Sequence, residues 1–552
     1  MLGARLAELG PHSTGQHTVT SLAVPNAGSL IQSVDWVAIA PPLIAAVAAL
    51  AVLVADLFLP ERHKKWLGRL TAAGLALALI SLLPLTGGSP RATFCAQNVA
   101  GATDNAGCSY VADHFALVFQ LLALGGALIA ALLSAHTVES EKLPGGEYWF
   151  LLLSSATGAA LLPASRDLAT MVVALEVASL PAFALVALRR DGRGAEAALK
   201  FFVSSVTATA VMLLGVSFVY AASGSLHLGA VAEGLEHAPA QLKPLAEAGA
   251  VLTLVGFAFK VAAVPFHFWV PDTYTGAPLP VAGYLSVVGK AAGLSGLALA
   301  TTVAFRPYAH TWGLVLAVLA AVTMTVGNVG ALRQRFDTRY SAVRLLAWSS
   351  VGQAGYLLVP LAAAGYAPTA ADPLGAAAAY ALIYGVVNLG AFGVVAAVGR
   401  RAGTSVDDFR GLFARSRWTA LALAFFLLCL AGLPPGVIGL FGKVVVFRAA
   451  VDAGLGWLAV VMAVNVVVAL YYYLLWTARL FAPAAVAAGG DGGGEAGVEG
   501  GVGAGVGAGV EGGVESRLPL SLTATLGLTA SVAVVLSVAP QLVLQVAGGS
   551  LF

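Results

Sequence analysis

Apolar residues along this chain gather into runs of about 20, the length an α-helix needs to cross a hydrocarbon core of about 30 Å, with short stretches of Gly, Pro and charge between them. Taken from breaker to breaker, the runs predict fourteen spans, near residues 36–59, 67–86, 114–135, 147–163, 168–187, 200–222, 248–270, 279–304, 311–332, 343–364, 373–398, 418–448, 456–481 and 518–547. The expected fold class is an all-α integral membrane protein. Spans seven and twelve depart from the rest. Pro265 closely follows Lys260 in FAFKVAAVPFHFW, and Pro434 with Pro435 interrupts AGLPPGVIGLFGK ahead of Lys443. Both spans are expected to be broken helices, which a membrane tolerates only where protein or water satisfies the freed backbone. Breaks in corresponding places of two halves suggest inverted repeats around a pathway. Here the five-helix units would be spans four to eight (147–304) and nine to thirteen (311–481), on span count, break and lysine placement, since direct similarity between them is weak. The other segments are an N-terminal tail (1–35), spans one to three (36–135), a glycine-rich linker (482–517) and a last helix within 518–552.

Composition excludes several classes. The chain is 59% hydrophobic and 10% charged, with a mean hydropathy of +0.88, whereas a soluble domain carries about 25% charged residues. Its 29 basic and 27 acidic residues form no clustered basic face, which argues against nucleic-acid binding. Three cysteines without paired spacing argue against a metal centre, and Cys429, inside a span, reads as apolar filler. The glycine-rich run has no phosphate-loop signature and reads as a flexible tether. The first thirty residues lack an apolar stretch long enough for a secretory signal.

Charge location supplies orientation. Loops after odd-numbered spans hold Arg62, Lys64, Lys65 and Arg69, then Arg189, Arg190 and Arg193, then Arg333, Arg335, Arg339 and Arg344, then Arg400, Arg401, Arg410, Arg415 and Arg417; loops after even-numbered spans are poor in Lys and Arg. The bias of basic residues toward the cytoplasm places the odd loops and the linker inside and both termini outside. Cys95 and Cys108 share the outer loop after span two, where a disulfide and two free thiols both stay open.

Candidate chemistry lies within the spans. Glu176 in TMVVALEVASLPAFAL, Lys260 in VLTLVGFAFKVAAV, Lys290 in AGYLSVVGKAAGLSGL and Lys443 in GLFGKVVVF all fall deep in apolar sequence. Inserting four such charges costs about 10–14 kcal/mol before pairing relieves it. One account is structural, with Glu176 neutralising a lysine and the others snorkelling or binding carbonyls. The other is a relay: burial disfavours an ammonium and a carboxylate beside it favours it, so moving Glu176 toward or away from Lys260 would load or unload a proton. Lysine suits this role better than arginine. Lys200 opens span six after a basic loop, where a topogenic role competes with proton entry. His267 is a proton carrier or a cap of the helix break. Asp272 reads as a cap of the next helix, and Arg333, Arg344, Asp407 and Asp408 as solvated loop charges.

At these residues the chain resembles the antiporter-like, proton-pumping subunits of respiratory complex I. FKVAAVPFHFWVPDTYTGAPLPVAGYLSVVGKAAG is similar to their signature across spans seven and eight, RLLAWSSVGQAGYLL to the RLLAYSSI-x-H-x-GY stretch of span ten, YALIYGVVNLGAFGVV to span eleven, and GLPPGVIGLFGKVVVF to the broken span twelve. The likeness runs from about residue 110 to 480. Lysine at 443 favours the subunit N branch over the subunit M branch, and WVPDTYTGAP departs from the WLPDAH of the L and M branches and of cation-antiporter relatives. The resemblance implies that Glu176 and Lys260 are the ion pair of a first half-channel, Lys290 the central lysine and Lys443 the exit-side residue. Gln353 stands where the family usually has histidine and cannot titrate, so a wire there would need water or another side chain. The resemblance further implies a subunit of a proton-translocating NADH:quinone oxidoreductase in a bacterial plasma membrane. NAD, FMN, iron–sulfur clusters and quinone would lie in other subunits, and neighbouring membrane and peripheral subunits would be partners alongside the lipid bilayer. A multi-subunit sodium/proton antiporter subunit is the alternative, and a non-transporting assembly scaffold a third.

Overall fold

The computed structural model describes residues 34–95, 107–399, 404–483 and 520–548. The tail through residue 33, the glycine-rich run from 484, and Arg400 and Arg401 lie outside the described residues. The chain opens with α1 (Trp36–Phe58) and α2 (Lys65–Ile80), then a hairpin of β1 (Arg91–Cys95) and β2 (Cys108–Ala112), then α3 (His114–Ser140). Next come α4 (Gly145–Leu161), α5 (Leu168–Ala187), α6 (Gly192–Ser223), the short α7 (Leu228–Glu236), α8 (Lys243–Val261), α9 (Trp269–Gly276), α10 (Leu279–Tyr284) and α11 (Lys290–Leu299). They are followed by α12 (Ala309–Leu332), α13 (Ser341–Ala364), α14 (Ala371–Val398), α15 (Leu412–Arg415), α16 (Arg417–Ala431), α17 (Val437–Asp452) and α18 (Gly456–Phe481), and the chain closes with α19 (Leu520–Val538) and α20 (Gln541–Gly548). Among the described residues eleven helices are long and apolar enough to cross a membrane. Of the other expected spans, α4 is 17 residues long and span twelve is divided between α16 and α17.

The centre of the bundle is α13, whose apolar window is 94% buried inside the protein, against 33% for α1. Close helix approach comes from small residues. A Cβ on Gly215 would lie 2.4 Å from Thr253 N, where α6 meets α8, and one on Gly327 would lie 2.2 Å from Gly352 N, where α12 meets α13.

The two ends of the bundle are closed by different polar latches. At one end Asp35, Asp113 and Asp167 cap α1, α3 and α5 through their carboxylates, as expected for acidic groups at helix N-termini. The Arg166 guanidinium pairs with Asp113, both largely buried. Arg166 N donates to Ser109 O (2.8 Å) and its carbonyl accepts from Leu228 N (2.9 Å), which draws β2, α5 and α7 together. At the other end Asp272 accepts from Lys200 and Arg344, Asp407 pairs with Arg479, and the Arg193 guanidinium lies 3.9 Å from the Tyr340 ring centroid.

Several expectations change. The loop after span two is an antiparallel hairpin, Arg91 opposite Ala112 and Cys95 opposite Cys108, and a disulfide joins those two cysteines. The loop after span six holds α7, whose buried Leu228, Val231, Ala232 and Leu235 follow the i, i+3, i+4, i+7 spacing of an amphipathic helix. Span six begins earlier than its apolar run, because Asp191 caps the chain at Gly194 N (2.6 Å) and carries the basic stretch into α6. Asp272 does not cap α10, which starts without any side-chain cap. It and Asp407 are cross-links between helices, and Arg344 belongs to one of them.

Arg166→Ala would strand the Asp113 carboxylate in a buried position, so we expect a loss of about 3–5 kcal/mol, read as a lower midpoint of thermal unfolding of the detergent-solubilised protein; an unchanged midpoint would refute the latch. The Arg91 side chain, bonded to Asp35 at 2.7 Å, holds that carboxyl below its ordinary 3.8. A lowered carboxylate stabilises the fold fully above its unfolded value and loses that contribution as pH falls through the folded one. The protection of the Val37 and Ala38 amides relative to their intrinsic exchange rates should therefore fall only below about pH 4, and Arg91→Ala should move that onset upward.

Candidate functional site

The two broken helices end alike. α8 stops at Val261 with Ala262 left-handed (φ 67°), Ala262 N donating to Phe259 O at 3.0 Å and Ala263 N to Ala258 O at 2.9 Å. α16 stops at Ala431 with Gly432 left-handed (φ 85°), Gly432 N donating to Cys429 O at 3.1 Å and Leu433 N to Leu428 O at 2.9 Å. This closure leaves other C-terminal carbonyls free, at the partially negative end of the helix.

Buried ammonium groups collect at these ends. Lys443, 6% exposed, donates to Leu430 O (2.9 Å) and Ala431 O (2.7 Å) and lies 5.5 Å from the Tyr356 ring centroid. Lys290, 1% exposed, donates to Ser350 O of α13 (2.9 Å) and Val261 O of α8 (3.4 Å). Lys260 sits in the last turn of α8 and donates to Ser179 Oγ of α5 at 2.6 Å. Glu176, one turn before Ser179, accepts from Thr209 Oγ1 of α6 at 2.6 Å. No ion pair within 4 Å joins Glu176 to Lys260 among the described residues: the ammonium bonds Ser179 and the carboxylate accepts from Thr209.

Polar side chains outside the expected set lie near Lys290 and Lys443. A π-helical turn, Leu285–Gly289, precedes Lys290 and frees backbone groups, as such turns do at functional positions. The Tyr384 hydroxyl is within 3.1 Å of both Ser286 O and Ser350 Oγ, and Asn388 Nδ2 donates to Ser286 Oγ at 2.7 Å. Tyr380 donates to Gln353 Oε1, Gln353 Nε2 to the Tyr473 hydroxyl at 3.4 Å, and the Tyr473 hydroxyl is hydrogen-bonded to Ser349 Oγ. Between Gln353, Tyr380 and Lys443 lies a cavity of about 10 Å³, room for about one water molecule. The buried polar groups thus fall in two sets, Lys290 with Tyr384, Ser286, Ser350 and Asn388, and Gln353 with Tyr380, Tyr473 and Ser349 beside Lys443. The signal for the tyrosines was present in YALIYGVVN, where Tyr380, Tyr384 and Asn388 recur every four residues on one helical face.

The two secondary residues have other neighbours. The His267 ring faces Trp348 at 5.6 Å, and its buried Nδ1 has no hydrogen-bond partner among the described residues. The break is closed instead by backbone bonds and by Val264 N donating to Thr323 Oγ1 at 2.9 Å. Lys200 is half exposed at the basic end, 2.7 Å from Glu196 and 3.0 Å from Asp272.

Residues 165–469 match the family described as NADH:quinone oxidoreductase/Mrp antiporter, transmembrane. The chain belongs to this family. The matched region contains Glu176, Lys260, Lys290, Gln353, Tyr380, Tyr384 and Lys443, and Tyr473 lies just beyond it. Among curated relatives of this antiporter-like family member, NADH-quinone oxidoreductase subunit N 2 of Streptomyces griseus is 61% identical over 533 residues, covering 96% of each chain. A chain of respiratory complex I from Thermus thermophilus with bound aureothin superposes with a TM-score of 0.70 at 33% identity, covering 92% of this chain and 98% of that one. A chain of the Mrp complex from Dietzia sp. shares the fold, with a TM-score of 0.73 at 22% identity and coverage of 92% and 96%.

In this member of the family, α17 is pressed onto the end of α16: a Cβ on Gly439 would lie 1.8 Å from Cys429 O. Gly439→Ala should displace α17 at a cost of about 1–3 kcal/mol and expose the buried Cys429 thiol, the chain's one free cysteine. A membrane-permeant maleimide should then label it, whereas the wild-type thiol stays protected; equal labelling would show that this contact does not seat Lys443.

Proposed function

We propose that this chain is a subunit N-type membrane subunit of an NADH-quinone oxidoreductase and carries protons across a bacterial plasma membrane, driven by electron transfer from NADH to quinone in other subunits. The observation that carries the reading is the set of three buried ammonium groups, held by backbone carbonyls and one serine hydroxyl, with hydroxyl and amide side chains near two of them. A buried charge without a counter-ion is costly, and a path that loads and unloads it gives that cost a use. Glu176 with Lys260 is the switchable element: a shift of about one helical turn along α5 exchanges Ser179 for the carboxylate. Lys290 passes the proton from the first break to α13, and Lys443 releases it beyond the second. Lys200 and His267 are secondary, at the entry and beside the first break.

In this reading the chain crosses the membrane fourteen times, with α16 and α17 as one crossing and α19 with α20 as the last. Spans four to eight and nine to thirteen are the inverted repeats, a division supported by the shared closure of α8 and α16. The basic latches mark the inner side, and both termini lie outside. NAD, FMN, iron–sulfur clusters and quinone belong to other subunits, and the membrane and peripheral subunits of the complex are obligatory partners, because each 100 mV opposes outward transfer by about 2.3 kcal/mol per charge.

Lys260→Ala and Glu176→Ala, introduced into the assembled complex, should lower the number of protons translocated per NADH oxidised in membrane vesicles. Ser179→Ala, which removes one hydrogen bond to a charged group, should slow pumping roughly ten-fold. Unchanged pumping in all three variants would leave the buried charges a purely structural role, and sodium-gradient collapse when the chain is added to membranes lacking the oxidoreductase would make it a sodium/proton antiporter subunit.

A further inference from the structure

Far from the lysine path, the inner ends of α2, α3 and α4 enclose a cavity of about 730 Å³ lined by Arg62, Lys64, Lys65, Arg69 and Lys142, with Glu61 and Glu139 as its carboxylates and Trp149 on its wall. Lys64 is neutralised by Asp56 at 3.3 Å and Glu61 at 2.9 Å, and Arg69 lies over the Trp66 ring at 4.3 Å. Arg62, Lys65, Arg69 and Lys142 have no carboxylate within 4 Å among the described residues, unlike Arg166, Lys200, Arg344 and Arg479, which each find one. The surplus charge is therefore positive. α2 begins beside it at Lys64 without a side-chain cap, and first-turn N–H groups left free in this way favour anions, whereas the first turn of α4 carries Glu147 and is faced by the Asp56 carboxylate at Gly146.

The same cavity continues as an apolar slot between α2 and α3, along Gly68, Ala72, Ala131 and Ala135. Small residues on both walls leave room for a hydrocarbon chain where larger ones would close the seam. A basic rim at a helix end above an apolar slot has the chemistry of a phosphodiester headgroup over an acyl chain. We propose that this cavity binds one anionic phospholipid of the inner leaflet, its phosphate among Arg62, Lys65 and Lys142 and a chain between α2 and α3. The site uses the proposed orientation only to name the leaflet, and it does not depend on which ion the bundle moves.

The test is lipid association by the assembled complex, reconstituted with spin-labelled phosphatidylglycerol or spin-labelled phosphatidylcholine, with the motionally restricted fraction read by electron paramagnetic resonance. Because each basic residue near an anionic surface contributes measurably, the triple change Arg62→Gln, Lys65→Gln, Lys142→Gln should weaken the specific phosphatidylglycerol component on the order of 100-fold, with phosphatidylcholine unaffected and with recovery in the charge-keeping Arg62→Lys, Lys65→Arg, Lys142→Arg protein. Ala135→Phe, which fills the slot without touching charge, should release the same component. It decides the question alone if the triple variant fails to assemble. Undiminished phosphatidylglycerol binding overturns the proposal. So does an equal loss on changing Arg333, Arg335 and Arg339 to Gln, which would be a general charge effect. Displacement by inorganic phosphate, with Ala135→Phe silent, would assign the cavity to free phosphate, and loss of a neighbouring subunit in place of lipid would assign it to a protein contact. Lipid retention requires no NADH oxidation, so its failure is separable from failure of the pumping reading.

Discussion

Three ammonium groups held away from water are the constraint around which this bundle is organised. An ammonium group at the centre of a membrane protein must find oxygen atoms, and here the oxygen is mostly backbone. Two helices stop short inside the bundle so that Val261, Leu430 and Ala431 turn carbonyls toward Lys290 and Lys443. At Lys443 the break and the buried lysine are thus one feature, because the freed carbonyls of Leu430 and Ala431 and the ammonium satisfy one another, while Lys290 takes a break carbonyl together with Ser350 O of the unbroken α13.

That arrangement dictates the packing around it. Glycines let α6 approach α8, α12 approach α13, and α17 sit on the end of α16, which brings backbone atoms of one helix within reach of side chains on another. Close approach also shortens the gaps that polar groups must bridge, so single hydroxyls suffice as links. Tyr384 spans from α14 to both α10–α11 and α13, and Tyr473 reaches α13 from α18. Phenol groups suit this position because most of their surface is apolar and only the tip needs a partner.

Polar cross-links at the two ends hold the central geometry in register. At the hairpin end Arg166 gathers α3, α5 and α7, and at the basic end Asp272 and Asp407 tie α9 to α6 and α13, and the chain after α14 to α18. Each joins segments distant in sequence, so a displacement of one helix is felt by several others.

The sequence by itself determined the apolar spans, the two interruptions and the identity of the deep ionisable residues, because a run of about 20 apolar residues, a proline and an isolated charge are local signals whose meaning in lipid is set by length and solvation alone. Glu176, Lys260, Lys290 and Lys443 were legible in that way, and so was the non-titrating amide at Gln353. Tertiary structure decided which oxygen each lysine finds, because Ser179, Ser350 and Leu430 are partners chosen by helix packing and not by spacing along the chain. It decided that Lys260 bonds Ser179 and not Glu176, that Asp272 cross-links helices instead of capping one, and that Cys95 and Cys108 meet across a hairpin. Charges such as Arg344 and Asp407 looked solvated in sequence because a charge in a loop shows its surroundings only once the other helices have closed around it.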